Sequence, residues 1–128
     1  MGDVIGKDAV AQKRWHRLLA RLADTVDRIR TACDTNLAAY LILAGPIGYR
    51  SDYPETASAI AGTLGYVHDR MQRLAAGDPS DEAIAEANRL LADLLANETR
   101  WSTLFQDERD RINALRATPP RGLGGRPH

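Results

Sequence analysis

The sequence is poor in cysteine, aromatics and lysine, and it lacks any long apolar run. Its single cysteine, Cys33, cannot form an internal disulfide, which removes the stapled small-domain scaffolds and fits a reducing compartment. No segment approaches the roughly 18 consecutive apolar residues of a membrane span or the apolar core of a signal peptide, so a cytoplasmic protein without membrane attachment is expected. Net charge is absent as well. Seventeen basic residues, all but two of them arginine, balance seventeen acidic ones, so no overall field steers the chain to nucleic acid or to an acidic membrane.

Catalytic patterns are also missing. Two-metal helical sites need a glutamate three residues before a histidine, and the residues three before His16, His68 and His128 are Lys13, Gly65 and Gly125. No Glu pair has the two-residue separation of carboxylate-metal helices. There is no second cysteine for zinc or redox pairing and no strand leading into a glycine-rich phosphate loop. An Arg followed by a His after four to six residues occurs only as Arg121 and His128, in a Gly/Pro-rich run that gives a transition state no rigid support. No catalytic residue, metal or cofactor is therefore expected.

What remains is helix-forming material: 128 residues suited to one domain, 44% hydrophobic and 27% charged, rich in Ala, Leu, Arg and Glu. From Lys7 to Ala44, Trp15, Leu19, Leu22, Val26, Ile29, Cys33 and Tyr40 recur at steps of three and four, with Asn36 in register, which predicts one long amphipathic helix. Gly45 to Tyr53 reads as a loop. Pro54 suits the first turn of a second helix with the stripe Ala57, Ile60, Ala61, Leu64, Val67, Met71 and Leu74, ended by Gly77. Asp78, Pro79 and Ser80 supply the cap of a third, whose stripe is Ile84, Ala87, Leu91, Leu94, Trp101, Phe105, Ile112 and Leu115, with Glu98 and Glu108 in the same seam. The expected fold is an all-α antiparallel bundle of three helices, two long ones joined through a shorter one. A fourth arises if a long helix breaks near Asp34 and Thr35 or near Asn97 and Thr99. The domain spans residues 1–118, and the Pro/Gly/Arg-rich residues 119–128 form a tail.

At 1.5 Å per residue the helices measure roughly 55, 35 and 58 Å. If each starts level with the end of the last, about 20 Å of the first overhangs at one end and as much of the third at the other. These overhangs carry Trp15, Leu18 and Leu19 on one side and Leu104, Phe105 and Ile112 on the other, the expected interface of a two-fold homodimer.

Other residues have competing readings. Ile47, Tyr49, Arg50 and Tyr53 have the mixture enriched in protein interfaces, and they mark the candidate partner site; alternatively they cap the bundle end. Lys13, Arg14, Arg17 and Arg21 form a basic strip that suits phosphate contacts or ordinary solvation. Gly62 and Gly65, with Ala57, Ser58 and Ala61, make a small-residue face suited to close approach of a helix inside or outside the chain. Cys33 reads as a small buried hydrophobe and His68 as a boundary histidine. Glu98 and Asn36 read as register-setting polar groups or as a polar pocket. The expected function is that of a small non-enzymatic interaction protein, an adaptor, inhibitor or accessory subunit. A nucleic-acid-associated subunit using helix 1 is the alternative, and an enzyme with a pocket around Glu98 the third reading.

Overall fold

A computed structural model describes residues 2–117 and the side chains from Ala9 onward; the expected tail at 119–128 lies outside the described residues. Three α-helices pack against one another: α1 (Gly2–Ile47), α2 (Tyr53–Ala76) and α3 (Asp81–Ala117). Both long helices are continuous through Asp34–Thr35 and Asn97–Thr99. The apolar stripe on either side of those polar residues keeps the same face, so breaking the helix would sacrifice burial for a cap. Among the described residues no helix is long and apolar enough to cross a membrane.

The ends follow local chemistry. Ser80 accepts a hydrogen bond from the Ala83 backbone N–H at 3.0 Å, an N-cap for α3. α1 runs three residues past its expected end, through Gly45 and Pro46 to Ile47. Proline is tolerated there because it deprives only the Ile42 carbonyl of its helical donor, and Ile42 is exposed to water. The helix terminates at Gly48, whose φ of 69° is in the left-handed region, and the Tyr49 N–H turns back to the Leu43 carbonyl at 3.4 Å. α2 begins one residue early, on Tyr53.

The main core is built from Leu22, Val26, Ile29 and Cys33 of α1, Ala57, Ile60 and Leu64 of α2, and Leu91, Leu94, Trp101 and Phe105 of α3. A second cluster joins Trp15, Leu74 and Ala87. Ascending α1, Trp15 meets Leu74 and Ala87, Arg28 meets Glu98, Cys33 meets Ala57, and Asn36 meets Phe105. Partner numbers thus rise along α3 and fall along α2. The two long helices lie side by side in steady register, which puts Ile47 and Ala117 near the same level, whereas α2 starts far below, beside Cys33.

Of the expected overhangs, that at the start of α1 is present, since Trp15 meets Leu74 near the end of α2 while α1 begins at Gly2, but that of α3 is shared with α1. α1 and α3 project together past the start of α2, at one end, because residues 48–52 fold back along them instead of starting α2 at the tip. Trp15, Phe105 and Ile112 are buried in the chain's own core, Leu18 and Leu19 are half-buried, and only Leu104 is exposed.

The small-residue face of α2 also differs from expectation within the chain. Among the described residues a Cβ added at Gly62 or Gly65 would have no neighbour within 4 Å, so none of the three described helices makes the close approach those glycines would allow. Each glycine sits in a helix interior with open space around it. Gly62→Ala and Gly65→Ala are each expected to raise stability by about 0.5 to 1 kcal/mol, read as an upward shift of the urea midpoint with unchanged slope.

Candidate functional site

The projecting end of α1 and α3 holds the densest polar chemistry. Glu108 is only 1% exposed. One of its carboxylate oxygens accepts from the Tyr49 hydroxyl and the other from Ser51, each at 3.0 Å, and Arg111 approaches at 3.4 Å from one turn further along α3. The Tyr49 ring rests on Tyr40 with centroids 5.4 Å apart. Burial and the neighbouring carboxylate hold the Tyr49 hydroxyl above its ordinary value. The 48–52 segment is therefore a strap tied down by a buried acid, which explains its path.

Directly below, Tyr53 donates to the Cys33 carbonyl at 2.8 Å, and Asn36 donates to the Phe105 carbonyl at 2.9 Å. Both carbonyls belong to helix interiors, so each side chain links two helices by using a second lone pair of an acceptor already engaged. Burial pushes the Tyr53 hydroxyl and the Cys33 thiol up. The Cys33 sulfur lies 4.0 Å from the Ala57 carbonyl, and this sheltered thiol is packing material.

The four residues of the expected partner site separate here. Tyr53 is buried and Tyr49 is half-buried and engaged with Glu108, so these two fasten the bundle end. Ile47 and Arg50 remain exposed. What the sequence reading missed lies on α1 below Ile47, on another side of the helix. Leu41 is 61% and Ile42 62% exposed, and Ile47 is 56% exposed. Ala38 and Gly45, one turn below and one above, are exposed too. The signal was present: Tyr40 to Ala44 is an unbroken apolar run longer than one helical turn, and a helix packed on one side cannot bury all of it. No charged residue occurs between Asp34 and Arg50.

Glu98 does not form a polar pocket. It accepts from Nε and Nη2 of the Arg28 guanidinium at 2.6 and 2.9 Å, at the edge of the α1–α3 seam. The Arg28 hydrogen bonds hold its carboxyl below the usual range. Arg28 is more than half exposed, so this pair adds little to stability. Arg70 and Glu86 make a similar link, at 2.6 Å, between α2 and α3. His68 is half-buried, 3.2 Å from Gln72. Lys13, Arg14, Arg17 and Arg21 are all exposed, and no carboxylate of the described residues lies within ion-pair distance of them. Among the described residues no cluster of His, Cys, Asp and Glu could hold a metal ion.

Comparison with known protein families, curated proteins and solved structures finds no match for this chain.

Proposed function

We propose that this protein is a small helical interaction protein that acts by presenting a bundle end to another protein, a second copy of itself foremost, and not by catalysis. The helices are read as an antiparallel bundle, because contact partners fall in number along α2 and rise along α3. The observation that carries the function is the exposed uncharged face of Leu41 and Ile42, flanked by Ala38 and Gly45 and held out on the rigid projecting tip of α1. Apolar side chains so placed favour docking because their burial against a partner removes them from water. Ala38 and Gly45 flank the two large side chains and would let a second helix cross closely. A chain with no net charge offers little resistance to meeting its own copy.

The test is Leu41→Glu combined with Ile42→Glu. Both sites are exposed, so the melting temperature should hold within a few degrees, while light scattering at tens of micromolar should show the wild type as a dimer and the variant as a monomer. A parallel capture from the native cell, with and without nuclease, identifies any other protein held by the same face. A wild type that is monomeric, and whose captured proteins are the same with the variant, would sink the reading. The nucleic-acid alternative rests on the unpaired strip of Lys13, Arg14, Arg17 and Arg21, and predicts binding that weakens steeply with salt and is lost on neutralising the strip.

A further inference from the structure

Far from that tip, α1 and α3 enclose a groove of about 400 Å³ lined by Ala11, Arg14, Trp15, Leu18, Ile84 and Asn88. Its floor and one wall are apolar. Trp15 is almost fully covered, Leu18 is half-buried, and Ile84 stands exposed on the α3 side. Arg14, Arg21 and Arg28 follow at seven-residue steps on one stripe of α1, and Arg28 reaches Glu98 of α3, so the stripe borders α3. Arg14 and Arg21 on that border have no carboxylate partner among the described residues, nor has Arg17 between them. Away from Glu98, which Arg28 already holds, the α3 border is neutral at Asn88 and turns acidic at Asp81, one turn before Ile84.

We propose that this groove binds an acidic amphipathic helix of a partner protein, its apolar stripe on Leu18 and Ile84 above the floor that Trp15 closes and its carboxylates along Arg14, Arg17 and Arg21. The inference extends the interaction reading to a second, chemically different surface. Residues 11–18 span roughly 10 Å, two helical turns, which suits apolar groups at i, i+3 or i+4, and i+7 of the incoming helix. Asp81 restricts the partner's carboxylates to the α1 flank, which fixes its orientation. Nucleic acid fits less well. Phosphates gain nothing from Ile84, and the Trp15 ring is too covered to stack on a base.

The probe is a display library of helical peptides, roughly 18 residues long, that keep one apolar stripe and vary Glu, Lys and Gln elsewhere. Selection on the full chain should enrich peptides with Glu on one flank of the stripe. Titration of an enriched peptide should weaken about tenfold for the Arg14→Glu, Arg21→Glu double variant, weaken for Ile84→Ser, and not change for the Leu41→Glu, Ile42→Glu variant. Far-UV circular dichroism establishes that each variant is folded. The proposal is overturned by enrichment of basic or neutral helices, by no enrichment, or by binding indifferent to Arg14, Arg21 and Ile84. It is also overturned if a DNA duplex binds more tightly than any peptide and ignores Ile84→Ser. Any of these results, together with a wild-type dimer that the tip variant splits, removes the groove and leaves the tip reading standing.

Discussion

Replacing Glu108 by alanine should destabilise the protein by about 3 kcal/mol, among the largest effects available to a single polar residue here. Glu108 is fully enclosed and accepts from Tyr49, Ser51 and Arg111. Truncation leaves the two hydroxyls without their acceptor in a place that water reaches poorly, and opens a void between α3 and the strap. Glu108→Gln keeps an acceptor oxygen and similar volume, so it should cost about 1 kcal/mol, as should Tyr49→Phe or Ser51→Ala alone. The donors share one acceptor group, so the single effects should not add. A double-mutant cycle of Tyr49→Phe with Glu108→Gln should return a coupling of about 0.5 kcal/mol or more in urea unfolding followed by circular dichroism. Additive losses would mean that the strap is held by the Tyr40–Tyr49 contact instead. Amide hydrogen exchange supplies a second readout: in Glu108→Ala the amides of residues 49–51 should lose protection before those of the helix interiors.

The strap shows where sequence periodicity stops being informative. The apolar stripes of α1 and α3 name nearly all of their buried residues, because each helix keeps one face against the core along its length. Ser80 is readable as a cap because its hydroxyl acts on a backbone three residues away. Periodicity states which side of a helix faces inward and is silent on what faces it. Glu98 and Glu108 are both in the seam of α3, yet one meets a surface arginine and the other two hydroxyls of a folded-back loop. The difference comes from the level at which α2 begins, a property of the loop path and not of either helix. The same ignorance hid the tip. With α2 assumed level with the end of α1, Leu41 and Ile42 fell within a covered segment, whereas the actual start of α2 beside Cys33 leaves the outer side of that segment open. Gly62 and Gly65 illustrate the reverse error: small residues permit a close approach but do not produce one, and here the face they form is open.

Phe105→Ala should lower stability by about 3 to 5 kcal/mol, the other large effect expected. As an overhang residue Phe105 would have served a homodimer, and its loss would have shifted mass from dimer to monomer while each chain stayed folded. In the structure it is buried within the chain, in the main core that includes Tyr53 and Trp101, with its carbonyl engaged by Asn36. The ring is enclosed by elements from all three helices, so truncation leaves a cavity that rigid helices close only in part. Leu104, its neighbour in sequence, is exposed, and Leu104→Ala should cost less than about 1 kcal/mol. The decisive measurement is urea unfolding of Phe105→Ala at two protein concentrations tenfold apart. A lowered midpoint shifted equally from wild type at both concentrations places the whole effect in the core of one chain. A shift that grows as concentration rises would instead assign part of Phe105 to a subunit contact, since association stabilises the folded wild type by mass action more than it does a variant that associates less well.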